Sequence, residues 1–299
     1  MHLPLPSAVS ARTARKPRAL ALCARLAALA LAALLGGCAA APGSPLPSHA
    51  PWPDRLQSLL PADVLLLGEQ HDASDHQRLQ REAVLWLAER GQLALVVEMA
   101  ERGHSTAGLP RSAPDAQAQT ALAWQESAWP WTAYGPVVMA AVAAGVPVLG
   151  GNLPRSQMRA AMADAAWDGH LPAAALSRQY AALREGHCGL LPESQIGPMA
   201  RIQIARDAAM AQTAREAMRP GQAVLLVAGS GHVLRSIGVP THWSANIKSK
   251  VVVAQAGKAQ TATTLIAKDA DAVVETPALP PRDACAELRQ QWQRPAAAR

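Results

Sequence analysis

Five polar residues of a kind that binds ligands or catalyses reactions each follow a short apolar run. Glu69 and His71 come directly after the first run, in the stretch Gly-Glu-Gln-His. Glu98, Asn152 and His232 follow three other runs, and glycines precede the last two. Carboxylates and imidazoles can bind a divalent cation, transfer protons or hold a cofactor. The pattern predicts one functional site assembled from distant parts of the sequence.

The apolar runs and the segments between them predict the scaffold that positions these residues. Buried strands are indicated at 64–67, 93–97, 146–149, 222–228 and 251–254, and helices at 74–90, 134–144, 155–185 and 194–218, with a polar loop at 102–118. This alternation predicts an α/β fold with a mostly parallel sheet and helices on both faces. Ligands of such sheets bind beyond the carboxyl ends of the strands.

The four charged or titratable members of the set are therefore expected to meet at that rim of the sheet. Glu69, His71, Glu98 and His232 should share one pocket, because parallel strands place such positions side by side. We expect the His71→Ala and His232→Ala variants to lose binding while changing stability little, since a histidine at the rim of a pocket is not part of the core.

The N-terminal segment predicts a cellular address rather than part of the fold. A basic region at 12–25 and an apolar run at 26–35 lead into Leu-Gly-Gly-Cys at 35–38. This order resembles a bacterial lipobox, in which Cys38 is lipidated. The alternative is an ordinary signal peptide cut near 39–41. We expect a lipoprotein signal peptide at 1–37, a flexible tether at 38–53, one α/β domain at 54–290 and a disordered tail at 291–299.

The charge of the chain excludes one class of partner. The net charge of +6 arises largely from residues 1–37, which contain five basic residues and no acidic one. The remainder is nearly neutral, so it lacks the basic footprint of a nucleic-acid-binding protein. We expect the protein to reside in the bacterial cell envelope, anchored by a lipid in the outer membrane and facing the periplasm.

Two cysteines are left once the signal peptide and the lipidated residue are set aside. These are Cys188 and Cys285, and the periplasm is oxidising, so we predict a disulfide between them. The alternative is a pair of unbonded, buried thiols.

Several stretches together resemble a known family. LLLGEQHDASDHQRLQ, LVVEMA, the W-P-W-TAYGP region, VLGGN and LLVAGSGHVLRSIGVP occur in the order seen in ChaN-like haem-binding uptake proteins of the Tiki superfamily. The resemblance covers roughly residues 54–286. It implies an α/β fold, an envelope location and a role in haem or iron handling. Glu69, His71, Glu98 and His232 match the superfamily's site positions. The segment between the second strand and Trp124 is short and broken by Pro and Gly, which departs from the family pattern.

The haem interpretation needs an axial ligand, an apolar slot and donors for the propionates. Tyr134, near Trp129 and Trp131, is one candidate ligand, although it could equally be a tyrosine packed in the core. His71 or His232 could be a ligand or a propionate donor. Asn152 is a further cofactor-binding candidate, and Arg155 could pair with a propionate.

A metal-dependent hydrolase, of peptidase or esterase type, is the alternative. His71, His232, Glu69 and Glu98 would then bind Mn, Fe, Co or Zn, and a free Glu69 or Glu98 would be the general base. A purely structural envelope lipoprotein is a third class. The haem or iron interpretation is favoured, and a homodimer is compatible with it.

Overall fold

The computed structural model describes residues 50–257 and 268–293. The predicted signal peptide, Cys38 and nearly all of the predicted tether lie outside the described residues. Within the described ranges, no helix is both long and apolar enough to cross a membrane.

The described residues form six strands, nine α-helices and two short 3₁₀ helices. The strands are β1 Val64–Glu69, β2 Gln92–Glu101, β3 Val148–Asn152, β4 Gln222–Gly229, β5 Ser249–Ala256 and β6 Ala272–Thr276. The α-helices are α1 Trp52–Ser58, α2 Ser74–Ala88, α3 Asp115–Ala121, α4 Trp131–Ala144, α5 Arg155–Ala163, α6 Ala173–Gly186, α7 Glu193–Ala217, α8 Ser230–Val233 and α9 Ala284–Gln293. The 3₁₀ helices are Ala165–Gly169 and Val239–His242.

The strands form one sheet in the order β3-β2-β4-β1-β5-β6, and every neighbouring pair is parallel. The predicted α/β fold is therefore confirmed. The central strand β1 is buried along its whole length, between β4 and β5. This explains why it reads as a continuous apolar run rather than an alternating one.

Successive residues of each strand bury their side chains on opposite faces of the sheet. Leu65 and Leu67 of β1 pack with α1, α2 and α4 on one face. Val64 and Leu66 pack on the other face, chiefly against α7 through Met210. Helices covering both faces remove the apolar strands from water, and the same arrangement leaves the carboxyl ends of the strands open to a site.

Several elements differ from the expectations of the sequence. Helix α1 begins at Trp52, inside the predicted tether, because the Trp52 indole is buried and donates to the carbonyl of Leu79 at 3.0 Å. Helix α3 lies partly within the predicted loop at 102–118. Strand β6 and helix α9 were not predicted, and α9 continues to Gln293, past the predicted start of the tail.

The disulfide joins the turn after α6 to the C-terminal helix α9. Cys188 and Cys285 are bonded, so this prediction is confirmed. The two residues are 97 positions apart in sequence. Closing so long a loop restricts the unfolded chain strongly, by about 4–5 kcal/mol in the chain-entropy model.

Reduction should therefore lower the free energy of unfolding by about 4–5 kcal/mol. Urea unfolding with and without a reducing agent measures this change. A Cys188→Ser/Cys285→Ser double variant is the control and should not respond to the reductant. Alkylation of both cysteines in the unfolded, non-reduced protein would contradict the bond.

A stacked histidine pair lies apart from the rim of the sheet, between the two 3₁₀ helices. The rings of His170 and His242 are 3.9 Å apart and nearly parallel. His170 Nε2 lies 3.0 Å from the hydroxyl of Thr241. Nε2 of His242 is buried without a hydrogen-bond partner. Burial, and then the neighbouring His170, lower the pKa of His242 to about 4.

Acid should consequently destabilise the fold through this pair. An unfolded histidine takes up a proton near pH 6.5, whereas folded His242 resists protonation down to about pH 4. The free energy of unfolding should fall by up to about 3 kcal/mol between pH 7 and pH 4. Urea unfolding across this range tests the effect. The His242→Phe variant should show a shallower dependence, and an unchanged slope would contradict this assignment.

Candidate functional site

The predicted polar residues meet at the carboxyl ends of β1, β2 and β4. Glu69 is the last residue of β1, and His71 follows two positions later. His232 lies in α8, immediately after β4. Glu98 lies within β2, which runs on to Glu101 with an irregular register against β3 beyond Val97. The expected convergence of distant segments is therefore present in the structure.

Glu69 is a buried carboxylate whose two oxygens are fully engaged. Oε1 accepts from the hydroxyl of Tyr134 at 2.7 Å and lies 2.7 Å from His71 Nδ1. Oε2 accepts from the side-chain amides of Gln77, at 2.8 Å, and Gln80. A carboxylate held by four donors is poorly suited to act as a general base or a metal ligand. Its geometry makes Glu69 a positioning group for the His71 ring.

Glu98 is the second buried carboxylate, and it lies between the two histidines. Oε1 is 2.5 Å from Arg206 Nη2 and 3.5 Å from His232 Nε2. Oε2 accepts from the backbone N–H of Gly229 at 2.7 Å and is 4.0 Å from His71 Nε2. Burial raises the pKa of Glu98, but the charges of His232, Arg206 and His71 lower it by more. Glu98 is therefore held ionised in an ion-paired environment.

His232 lies beneath the rim rather than on it. Its side chain is only 13% exposed, and Nδ1 is 2.6 Å from the buried carboxylate of Asp207. Burial raises the pKa of Asp207 to about 6. Burial lowers the pKa of His232, but Glu98 and Asp207 raise it overall. The expectation that His232→Ala changes stability little is at odds with this burial, because the variant would strand Asp207 without its partner.

His71 is the exposed member of the set, with 42% of its side chain accessible. Glu69 fixes Nδ1 as a donor, so the neutral ring carries its lone pair on Nε2. Trp129 contacts the ring edge-on, with centroids 4.9 Å apart. A Cβ on Gly229 would lie 2.9 Å from Nε2, so only glycine lets the ring occupy this place. Burial lowers the pKa of His71, but the hydrogen bond to Glu69 and the charge of Glu98 raise it above 6.5.

Tyr134 is packed in the core, which is the alternative to the role of a haem ligand. It is buried, its hydroxyl donates to Glu69, and its ring packs edge-on against Trp129 at 5.8 Å. Burial and the charge of Glu69 raise its pKa well above the usual 10, which disfavours the phenolate that would bind iron. Tyr134 therefore supports Glu69.

Asn152 and Arg155 border a cavity beside the cluster. Asn152 donates to the carbonyl of Glu98 at 2.9 Å and accepts from Arg206 Nε at 2.9 Å, so it positions these two groups. Arg155 is exposed at the start of α5. The cavity has a volume of about 170 Å³. It is lined by Trp129, by Arg155 and Arg206, and by apolar side chains that include Met99, Leu153 and Met158.

Four supporting residues were not found from the sequence. Gln77 and Gln80 are three positions apart on α2, so both face Glu69. Arg206 and Asp207 lie together in an otherwise apolar stretch of α7. The sequence could have indicated Arg206 and Asp207, because charged residues on a buried helix face need partners in the interior.

The predicted divalent-metal set gains no support from this arrangement. Nowhere in residues 50–257 and 268–293 do three or more His, Cys, Asp or Glu side chains form a group that could hold a metal ion. Both carboxylates of the predicted set already have protein partners. Glu98 is paired with the guanidinium of Arg206, and Glu69 accepts hydrogen bonds from four donors.

The fold and the site define an α/β protein with an all-parallel sheet and a buried glutamate–histidine cluster at the carboxyl ends of the strands. The chain belongs to the haem-binding uptake family, ChaN, of the Tiki superfamily, whose family model matches residues 55–242.

The chain is also similar to proteins of known structure. The chain is 25% identical to ChaN of Campylobacter jejuni, whose structure is described as showing cofacial haem binding, with a TM-score of 0.60 over 74% of this chain and 89% of that one. The type III effector HopBA1 is 13% identical with a TM-score of 0.44, covering 79% of this chain and 98% of its own. The MARTX effector domain RRSP of Vibrio vulnificus is 13% identical with a TM-score of 0.42, covering 70% and 36%. No curated protein matches the chain.

Proposed function

We propose that this protein binds haem at the carboxyl ends of its strands and serves in haem or iron handling. The observation that carries the proposal is His71, a half-exposed imidazole whose Nδ1 is held by a buried carboxylate. A histidine oriented in this way is a common ligand of protein-bound iron. Family membership and the similarity to the haem-binding ChaN of C. jejuni support the same ligand.

The surroundings of His71 fit haem on chemical grounds. If haem binds here, its iron would take a side-chain ligand, and we assign this role to His71. Trp129 and the methionines of the neighbouring cavity offer apolar surface to a porphyrin. Arg155 is an exposed cation at the same cavity, suited to a propionate.

The size of the cavity bears on how haem would be held. Its volume of about 170 Å³ is below the roughly 300–1,000 Å³ of pockets that enclose a small-molecule ligand. A cavity of this size cannot enclose haem, so part of a bound haem would remain outside it. The related C. jejuni protein binds haem cofacially. We accordingly propose that two copies of this chain bring their haems face to face.

Titration of the purified protein with ferric haem, followed by absorption, tests the proposal. We expect a Soret band that saturates at one haem per chain, and sedimentation should show a dimer when haem is bound. Metal analysis of the same preparation is the companion measurement. A tightly held divalent ion together with no saturable haem binding would overturn the proposal.

We further propose a lipid anchor at Cys38 that holds the protein in the outer membrane, facing the periplasm. The basic, apolar and Leu-Gly-Gly-Cys segments support the anchor, and the bond between Cys188 and Cys285 suits an oxidising compartment. The Cys38→Ser variant should lose lipid labelling and leave the membrane fraction. Unchanged labelling in this variant would refute the anchor.

A further inference from the structure

We infer that the protein has a second ligand site, at the β3 edge of the sheet, for a small monoanion with an apolar body. A cavity of about 510 Å³ lies there, within the usual size range of small-molecule pockets. None of the residues assigned above to the haem site lines it. The site is therefore a separate one, and it does not depend on haem binding.

The walls of this edge cavity are formed by ordered backbone. Residues 103–107 run along the outer side of β3, and Ser105 pairs with Leu149 in an antiparallel bridge. The N–H of Thr106 donates to the carbonyl of Val148 at 2.9 Å, and the N–H of Gly150 donates to the carbonyl of His104 at 2.9 Å. The C-terminal turn of α7 also lines the cavity. A cavity framed by hydrogen-bonded backbone is preformed, which reduces the ordering cost of binding.

The charges on the walls leave one positive charge uncompensated. Nη2 of Arg102 donates to both carboxylate oxygens of Glu216, at 2.7 and 2.9 Å, so these charges cancel. Arg219 donates only to the carbonyls of Glu216 and Met218, and no carboxylate of the described residues pairs with it. A single free guanidinium matches a monoanion, and a carboxylate suits its planar donors.

The other residues that line the cavity explain why we expect the ligand to have an apolar part. Ala94, Pro147, Leu149 and Ala217 contribute apolar surface. His104 and Gln222 also line the cavity, and their side chains make no hydrogen bond to another described residue. The lining therefore combines polar and apolar groups, which favours an amphipathic ligand. A monocarboxylate with a short aliphatic chain combines both features.

Calorimetric titration of the whole protein with octanoate tests this site. We expect saturable binding at one octanoate per chain, and at least tenfold weaker binding by the Arg219→Gln variant. Octanol, which has the same chain without the charge, should bind at least tenfold more weakly. Inorganic phosphate, which lacks the apolar body, should not bind. The Arg159→Gln variant, which removes an exposed arginine of α5 outside the cavity, is the matched control and should bind octanoate normally.

Two further variants keep the result interpretable. Ala107→Leu places bulk in the cavity while keeping Arg219, and it should also weaken octanoate binding at least tenfold. His71→Ala, directed at the haem site, should leave octanoate binding unchanged. No saturable octanoate binding, equal binding of octanol, or normal binding by both Arg219→Gln and Ala107→Leu would overturn the proposal. None of these outcomes would affect the proposed haem function.

Discussion

The His71→Ala variant should lose at least about 100-fold in haem affinity, and its saturable Soret band should disappear. The loss follows from removal of the proposed axial ligand. Stability should change by less than about 1 kcal/mol, because the side chain is half-exposed and Tyr134, Gln77 and Gln80 still satisfy Glu69. Haem titration and urea unfolding of the same preparation measure both quantities.

Matched variants separate ligand loss from damage to the fold. His187→Ala removes a histidine at the end of α6 and should bind haem normally. Gly229→Ala keeps the imidazole but places a methyl group 2.9 Å from its Nε2 position, so the ring must move and haem should bind more weakly. Wild-type affinity in His71→Ala would assign the iron to another residue.

The His232→Ala variant should be destabilised by about 3–5 kcal/mol at pH 7. Its loss leaves Asp207 buried without its 2.6 Å partner and removes one of the positive groups beside Glu98. Without His232, the pKa of Asp207 should rise above about 6, so the carboxyl can become neutral in mild acid. The destabilisation should therefore be smaller at pH 5 than at pH 7, as measured by urea unfolding.

A double-mutant cycle tests the cause of this destabilisation. If the cost comes from the stranded carboxylate, the His232→Ala/Asp207→Asn double variant should be more stable than His232→Ala alone. A loss below about 1 kcal/mol in His232→Ala would show that the buried pair contributes little. His71→Ala and His232→Ala thus distinguish an exposed binding residue from a buried structural one.

The convergence of the site could be predicted from sequence because it depends on strand ends. Glu69, His71 and His232 each follow an apolar strand, and parallel strands bring such positions together without any knowledge of packing. The depth of each residue could not be predicted in this way. His232 is buried and contacts Asp207 of α7, and no local sequence pattern specifies this contact.

The chemistry of the cluster was harder to predict than its location. Two glutamates and two histidines compose either a metal centre or an ion-pair network, and the sequence pattern is the same for both. The partners decide between them: Arg206 neutralises Glu98, and Gln77 with Gln80 holds Glu69. Arg206 lies on α7, 108 residues from Glu98 in sequence. Gln77 and Gln80 lie on α2, which begins soon after the Gly-Glu-Gln-His stretch, but the sequence of that helix does not show which carboxylate they contact. The packed structure is therefore needed to identify these partners.

The position of β1 in the sheet sets the order in which the chain can fold. Its two neighbours are β4 and β5, so Val64 pairs with Val224 and Ser249, and more than half of the described sequence lies between these partners. Contacts between such distant residues slow folding, because long loops must close before the contacts stabilise the chain. A growing chain keeps both edges of β1 unpaired until β4 is made. Folding of the sheet must therefore wait for most of the polypeptide to be synthesised.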